Sequence, residues 1–174
     1  LVNFQGTDTM QALRVARNYY SERMAGYSIP AAEHSTITSW GKENESKAYR
    51  NMLTSFPIGP VAVVSDSWDV FNACQNIWGK ELREDVLARD GKTIFRPDSG
   101  DPPVVVVRVL DILGNAFGYL VNAKGYKVLN PKVGAIQGDG VDIGMERTIL
   151  EAMKEAGWSA DNLAMGSGGG LLQK

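Results

Sequence analysis

Short apolar runs alternate with longer amphipathic segments along the chain. The run Val61–Val64 is apolar and mostly β-branched, which is typical of a strand buried on both faces. The segment from Trp68 to Ala88 then carries apolar residues at helical spacing. The same alternation recurs and predicts an α/β fold. We expect strands at residues 1–5, 26–30, 61–64, 93–95, 133–136 and 163–165, each followed by a helix.

The predicted helices cover residues 10–20, 36–56, 68–88, 101–114 and 145–156. Pro102 and Pro103 fit the first turn of the fourth helix, because proline is tolerated there. The apolar stripe that continues to Leu113 favours a helix over a strand in this β-branched segment, and Gly114 is expected to end it. Residues 117–131 interrupt the alternation and predict a small hairpin around Asn122–Gly125.

A polar residue or a glycine follows each predicted strand, and the intervals between these positions are close to the ~31 residues per unit of a (β/α) barrel. Strand–helix units of this length give parallel strands with right-handed crossovers, so all six strand ends meet at the edge that carries active sites. The sequence predicts a single domain, residues 1–174, forming part of a (β/α) barrel of about six parallel strand–helix units. An open doubly wound sheet is the alternative, disfavoured because a single crevice uses fewer strand ends. The residues that follow the six predicted strands are Asp8, His34, Asp66, Asp98, Asp139 and Gly168.

Composition narrows the class of protein. The net charge is −2, from 18 basic and 20 acidic residues, so we expect neither nucleic acid nor a membrane as partner. No apolar run approaches the ~20 residues that span a bilayer. Cys74 is the only cysteine and cannot form an internal disulfide, which fits a reducing compartment and predicts a cytoplasmic location. The first residue is Leu1, and both ends fall inside predicted elements, so we expect an internal piece of a longer protein.

His34 is the only histidine, and it lies between Glu33 and Ser35. An imidazole beside a carboxylate and a hydroxyl suits proton or phosphoryl transfer near neutral pH. A structural hydrogen bond is the alternative for a lone histidine. The carboxylates at the strand ends need partners if they converge, and a divalent cation, sugar hydroxyls or a developing positive charge would serve. Their alternative role is to cap the helices that follow.

Two glycine-rich segments predict contacts to a phosphorylated sugar. Gly166–Gly170 follows a predicted strand, where backbone amides and a helix N-terminus can hold a phosphate. Gly138–Gly140 places Asp139 where a carboxylate can bind ribose hydroxyls. Tight turns are the alternative in both places. Together with Arg96 and His34 these segments suit glycosyl-type transfer at an anomeric carbon.

These motifs, taken in order, resemble the nicotinamide phosphoribosyltransferase family of type II phosphoribosyltransferases. The resemblance covers essentially the whole chain, and the motifs are specific only in combination. Six segments carry it: Gly6–Thr9, Tyr27–Thr36, Val64–Ser67, Arg96–Gly100, Ile136–Asp142 and Gly166–Lys174.

The resemblance implies an enzyme that joins nicotinamide to 5-phosphoribosyl-1-pyrophosphate with Mg²⁺, giving nicotinamide mononucleotide and pyrophosphate in NAD salvage. It implies coupling to ATP hydrolysis through a phosphorylated histidine, and a homodimer whose subunits share the active site. His34 matches the phosphorylated residue, and Asp66 is favoured over Glu33 as its orienting partner, since neighbours on a strand point to opposite faces.

The remaining roles that the resemblance implies concern substrate and product. Asp8 matches the acceptor for the nicotinamide amide, and Arg96 matches the contact to pyrophosphate and nucleotide. Asp98, Gly138 and Asp139 match contacts to ribose and magnesium, with Asp98 also counted as catalytic. Gly168 and Gly169 match the loop that holds the product phosphate.

Two alternatives stay open at the level of sequence. The base could be nicotinate, although Asp8 argues against it because two carboxylates repel each other. The chain could also be a non-catalytic binding module, in which the polar residues after the strands are helix caps. The family also takes further phosphate-binding arginines and an aromatic ring from outside these 174 residues.

Overall fold

A computed structural model describes residues 10–25 and 29–166. The chain divides into two units, Leu1–Pro30 and Ala31–Lys174. The described part of the first unit contains helix α1, Met10–Tyr20, which confirms the predicted helix. The predicted strand at residues 1–5 lies outside the described residues, and so do residues 26–28 of the second predicted strand.

The second unit is built on a parallel sheet of five strands. They are β1 (Ala31–Ala32), β2 (Val61–Val64), β3 (Thr93–Arg96), β6 (Val133–Gln137) and β7 (Leu163–Met165), and they lie side by side in the order β1-β2-β3-β6-β7. Every neighbouring pair is parallel. The first of these strands begins at Ala31, so the predicted strand at residues 26–30 is wrong for the described residues 29–30.

The order of the strands decides between the two predicted architectures. Each crossover adds the next parallel strand on the same side of the previous one. A doubly wound sheet reverses direction at a switch point, whereas a barrel does not. The five parallel strands and their helices therefore form part of a (β/α) barrel, as predicted, and the described residues supply five of the six expected strands.

A two-stranded antiparallel hairpin interrupts the strand–helix alternation. Its strands are β4 (Tyr119–Val121) and β5 (Lys127–Leu129), and Tyr119 is in register with Leu129. Gly125 turns the chain with a φ of 85° and donates its N–H to the Asn122 carbonyl oxygen. The predicted hairpin is confirmed.

The helix predicted over residues 36–56 is wrong in its continuity. Helix α2 is His34–Thr38, a 3₁₀ turn covers Lys42–Asn44, and helix α3 is Glu45–Ser55. Gly41 separates them because its φ of 78° lies in the left-handed region, which no helix accommodates.

The helix predicted over residues 68–88 is also divided. Helix α4 (Val70–Asn72) continues as a π-helical segment, Ala73–Glu81, and helix α5 (Arg83–Ala88) follows. Leu82 has a φ of −102° and a ψ of 9°, so it separates the last two segments. The start is displaced to Val70 because the Asp69 side chain accepts hydrogen bonds from the first free N–H groups.

Helix α6 (Pro102–Phe117) begins at the predicted prolines but runs past Gly114. Gly114 lies inside the helix, and the Trp158 ring packs against it: a Cβ there would lie 2.6 Å from Trp158 Cη2, which leaves no room for a side chain. Gly118, with a φ of 84°, ends the helix instead. Helix α7 (Ile143–Glu155) and a 3₁₀ turn (Ala160–Asn162) complete the unit.

The core lies between the sheet and the helices. All four residues of β2 are buried, which confirms a strand covered on both faces. Rings of Tyr49, Trp78, Phe95 and Phe117 form a continuous column, with successive centroids 4.4, 5.0 and 6.1 Å apart. This column fixes β3 against α3, α6 and the π-helical segment. Within the described residues, no helix has the length and apolarity needed to cross a membrane.

Candidate functional site

The residues that follow the carboxyl ends of β1, β2, β3 and β6 form what we call the carboxyl edge. Because the strands are parallel and adjacent, their ends meet there. Glu33 and His34 follow β1, and Asp66 lies two residues beyond the end of β2. Arg96 ends β3, with Asp98 two residues beyond. His34 is the first residue of α2 rather than the end of a strand, which corrects the prediction.

Asp66 connects three of these strand ends. Its Oδ1 lies 2.9 Å from His34 Nε2, and its Oδ2 accepts a hydrogen bond of 3.1 Å from the Asp98 N–H. The Asp66 side chain is only 4% exposed, so bulk water competes little for either of its hydrogen bonds. Asp69 caps the following helix, so capping does not explain Asp66. The predicted pairing of His34 with Asp66 is present in the structure.

The bond to Asp66 assigns the tautomer of His34. A carboxylate accepts, so Nε2 carries the proton and Nδ1 of the neutral ring carries the lone pair. The His34 side chain is 45% exposed, which leaves the ring accessible from solvent. An oriented, accessible imidazole of this kind suits attack on an electrophile by Nδ1.

Ser65 anchors the segment that carries Asp66. Its N–H donates to the Arg96 carbonyl oxygen at 2.9 Å, which ties the ends of β2 and β3 together. Its hydroxyl donates to the Val63 carbonyl oxygen and accepts the Trp78 indole N–H at 3.1 Å. Sequence reasoning missed this contact, although a serine directly after a buried strand and a tryptophan thirteen residues on were visible.

Arg96 extends a guanidinium along the carboxyl edge. Its Nη1 and Nη2 donate to the two carboxylate oxygens of Glu33 at 3.3 and 3.0 Å, and Nη2 lies 3.6 Å from Asp98 Oδ2. Burial opposes the charge of Arg96, but the bond to Glu33 and the charge of Asp98 raise its pKa overall. The same bond lowers the pKa of Glu33. Arg96 is therefore a fixed cation between two carboxylates.

Asp98 lies where a cation would be favoured. Burial raises its pKa against the lowering effect of Arg96, and the charges of Asp66 and Asp139 raise it further. A Cβ on Gly138 would lie 3.3 Å from Asp98 Oδ1, so the absence of a side chain at Gly138 allows this approach. The predicted neighbours Asp98, Gly138 and Asp139 are thus together at the carboxyl edge.

The buried side chain of Gln137 holds the backbone at Asp139 by a hydrogen bond. It is 2% exposed, and its Nε2 donates to the Asp139 carbonyl oxygen at 3.0 Å. Its backbone carbonyl oxygen accepts the Gly166 N–H. The sequence signal for this role is a glutamine at the end of an otherwise apolar strand, and the sequence prediction did not include it among the site residues. Asp142, three residues further along the chain than Asp139, accepts the Met145 N–H and caps α7.

The predicted magnesium ligands form a pair rather than a cage. Among the described residues, no three or more His, Cys, Asp or Glu side chains are grouped as a metal site. Two carboxylates still fit Mg²⁺, which binds through one or two carboxylates plus substrate phosphates. The unfavourable negative charge at Asp98 is consistent with such an ion. Asp98 and Asp139 as metal ligands remain a prediction.

Three predicted site residues lie outside the described residues. They are Asp8, Gly168 and Gly169. The structure therefore brings together His34, Asp66, Arg96, Asp98, Gly138 and Asp139 from the prediction, with Glu33 and Gln137 as additional members.

Comparison with known proteins identifies the family of the chain. The family described as "Nicotinate phosphoribosyltransferase (NAPRTase) family" matches residues 1–174. The chain belongs to this family. The resemblance seen in the sequence is confirmed.

Curated relatives carry a more specific name. The chain is 58% identical to the nicotinamide phosphoribosyltransferase of Xanthomonas campestris pv. campestris over 176 residues, covering 100% of this chain and 37% of that protein. It is 33% identical to the enzyme of the same name from Acinetobacter baylyi, over 97% of the chain and 37% of the relative. The Mycoplasma pneumoniae enzyme is 35% identical over 86% of the chain and 36% of its own length. The chain thus spans a little over a third of these relatives.

Proposed function

We propose that the protein containing this chain is a nicotinamide phosphoribosyltransferase. It transfers the phosphoribosyl group of 5-phosphoribosyl-1-pyrophosphate to nicotinamide, giving nicotinamide mononucleotide and pyrophosphate in NAD salvage. The observation that supports this most is the convergence of His34, Asp66, Arg96 and Asp98 at the carboxyl edge. The named relatives supply the substrate class.

In the transfer step, the ring nitrogen of nicotinamide attacks C1 of the ribose, and the C1–O bond breaks with its electron pair leaving on pyrophosphate. Arg96 binds the pyrophosphate through its guanidinium fork, as guanidinium groups bind phosphate. Asp98 and Asp139 bind ribose hydroxyls and would hold Mg²⁺, which supplies charge neutralisation to the leaving group. The carboxylates also stabilise the oxocarbenium-like transition state.

ATP stimulation proceeds through His34 in this proposal. Nδ1 attacks the γ-phosphorus of ATP, ADP leaves, and Asp66 stabilises the positive ring through the Nε2 proton. Water later cleaves the N–P bond and releases phosphate. The exposure of His34 and the near-complete burial of Asp66 support this division of roles.

The residues outside the described range keep the roles that the resemblance implies. Asp8 accepts the amide of nicotinamide, and Gly168 and Gly169 bind the product phosphate. The proposal also includes a homodimer with a shared active site and a cytoplasmic location. The non-catalytic module is disfavoured, because the strand ends hold a connected set of polar groups rather than helix caps alone.

Nicotinate phosphoribosyl transfer is the second candidate. The description of the matching family favours it, since that description names nicotinate. The three relatives described above favour nicotinamide. An Asp8 carboxylate would repel the carboxylate of nicotinate and accept the amide N–H of nicotinamide.

Turnover of the two bases by the full-length protein tests the proposal. Each base is incubated with 5-phosphoribosyl-1-pyrophosphate and Mg²⁺, with and without ATP, and mononucleotide is measured by chromatography. We expect preferential turnover of nicotinamide, with stimulation by ATP. Preferential turnover of nicotinate would establish the second candidate, and no mononucleotide from either base would contradict both.

A further inference from the structure

The carboxylate of Glu33 occupies the guanidinium fork of Arg96. The two hydrogen bonds, of 3.3 Å from Nη1 and 3.0 Å from Nη2, engage both carboxylate oxygens. A phosphate or pyrophosphate group uses the same two-point geometry on arginine. A pyrophosphate oxygen pair and the Glu33 carboxylate therefore cannot occupy the same two donors together.

The two partners differ in how easily they can move. The Arg96 side chain is 15% exposed, and its Nη2 also lies 3.6 Å from Asp98 Oδ2. The Glu33 side chain is 67% exposed, so water can hydrate its carboxylate when it leaves Arg96. Exposed ion pairs contribute little free energy, since hydration replaces most of the lost attraction. An incoming anion would displace Glu33 rather than Arg96.

Glu33 is also the residue from which α2 begins. Its carbonyl oxygen accepts the N–H groups of Thr36 at 2.9 Å and Ile37 at 3.4 Å, and its own N–H faces Thr36 Oγ1 at 3.4 Å. His34 is the first residue of that helix. The contact between Glu33 and Arg96 therefore joins the end of β3 to the helical turn that carries the imidazole.

We propose that Glu33 is a positioning residue that competes with pyrophosphate for Arg96, so that occupation of the anion site releases Glu33 and alters the first turn of α2 at His34. The proposal deepens the proposed function and depends on it. In the structure, Glu33 and Asp98 hold the guanidinium between them. In the occupied site, the anion takes the place of Glu33, and the chain at His34 loses one of its attachments.

Calorimetric titration of the full-length protein with inorganic pyrophosphate tests the competition. Glu33→Gln removes the negative charge but keeps the shape of the side chain. We expect this variant to bind pyrophosphate about two- to fivefold more tightly than wild type, the range that an exposed ion pair allows. Glu155→Gln, at an exposed glutamate at the end of α7, is the matched control and should bind as wild type does.

Hydrogen exchange of the same proteins tests the link to His34. Pyrophosphate should change the exchange of backbone amides at residues 33–38 in wild type and in Glu155→Gln. In Glu33→Gln that segment should already exchange as in the bound protein and change little on addition of pyrophosphate. If Glu33 had only a structural role, exchange in Glu33→Gln would differ from wild type by the same amount with and without pyrophosphate, and this result would contradict the link to His34.

The outcomes separate this inference from the proposed function. If wild type binds pyrophosphate and Arg96→Gln abolishes binding, the anion site stands. Equal or weaker binding by Glu33→Gln would then overturn the competition alone. If wild type does not bind pyrophosphate, or Arg96→Gln binds it equally well, the anion site of the proposed function and the competition both fail.

Discussion

Asp66 and His34 lie 32 residues apart in sequence, yet their side chains meet at 2.9 Å between Oδ1 and Nε2. The pair depends on two adjacent parallel strands, since β1 ends beside β2 and the residues after both strands face the same edge. The second Asp66 oxygen accepts the Asp98 N–H, so Asp66 also contacts the segment that follows β3. One buried carboxylate thereby fixes the relative positions of an imidazole and a second acid.

Replacing Asp66 tests whether this carboxylate sets the tautomer of His34. In Asp66→Asn the amide cannot stabilise the positively charged ring, and it can pair with the wrong tautomer. We expect phosphorylation of His34 by ATP to slow by about 10²- to 10⁴-fold, as for a histidine that loses its carboxylate partner. ADP release and acid-labile phosphate on the protein measure this rate.

Asp85→Asn is a control for that experiment. Asp85 is an exposed carboxylate of α5 that pairs with Arg50 and has no contact with Asp66 or His34 among the hydrogen bonds and ion pairs described above. It should leave labelling unchanged. Equal labelling of wild type and Asp66→Asn would remove Asp66 from the mechanism.

Replacing His34 separates ATP coupling from base transfer. In His34→Ala we expect the stimulation by ATP to disappear while slow, ATP-independent formation of mononucleotide remains, since Arg96, Asp98 and Asp139 are intact. Rates at saturating substrate with and without ATP give the comparison. A variant that keeps full stimulation would show that another group accepts the phosphoryl.

Gly138 is expected to be needed for the position of Asp98. In Gly138→Ala the new Cβ would lie 3.3 Å from Asp98 Oδ1, so the Asp98 carboxylate must shift by a few tenths of an ångström, whereas Arg96 Cδ at 3.8 Å would be in ordinary van der Waals contact. A displacement of this size is expected to raise the KM for phosphoribosyl pyrophosphate by about tenfold. Gly144→Ala, in the first turn of α7, is the matched control, because its new Cβ would also lie 3.3 Å from a carboxylate oxygen, Asp142 Oδ1. Unchanged KM in Gly138→Ala would contradict the close approach.

Asp98 should make stability depend on pH in a defined direction. Its folded-state pKa is raised, chiefly by burial, so ionisation of Asp98 costs folding free energy, and this cost grows as pH rises through the folded pKa. Asp98→Asn should therefore have a higher Tm than wild type at neutral pH. The difference should shrink as pH falls through the folded pKa towards the ordinary value of 3.8. A gap that instead widens at acidic pH would give the opposite sign.

Glu45 and Tyr49 form a buried pair that the sequence did not reveal. The Tyr49 hydroxyl donates to Glu45 Oε1 at 2.6 Å, and both residues are buried. Burial raises the pKa of Glu45. Tyr49→Phe leaves this carboxylate without its donor and should lower the free energy of unfolding by about 1–3 kcal/mol. Urea titration measures the loss, and the double variant Glu45→Met with Tyr49→Phe should recover most of it.

Much of the fold follows from the periodicity of the sequence, because burial on one or both faces leaves a direct pattern. The limits of β2, β3 and β7 and the start of α6 were predicted within one residue. The breaks at Gly41 and Leu82 were not, since each depends on a local backbone conformation that an apolar stripe does not report.

Most members of the site were predictable, and so was the contact between His34 and Asp66, but the other contacts were not. Strand ends and residue types placed His34, Asp66, Arg96 and Asp98 at one edge. The fork between Arg96 and Glu33 could not be predicted, because it joins residues 63 positions apart through side-chain rotamers. The support of Asp139 by Gln137 is a contact from a side chain to a backbone carbonyl, which no spacing rule specifies.

The most direct test is a crystal structure of the full-length protein with Mg²⁺ and pyrophosphate. The account predicts pyrophosphate oxygens within hydrogen-bond distance of Arg96 Nη1 and Nη2, with Asp98 and Asp139 facing the ion and Glu33 turned away. Pyrophosphate bound elsewhere, with the fork of Arg96 still on Glu33, would contradict it.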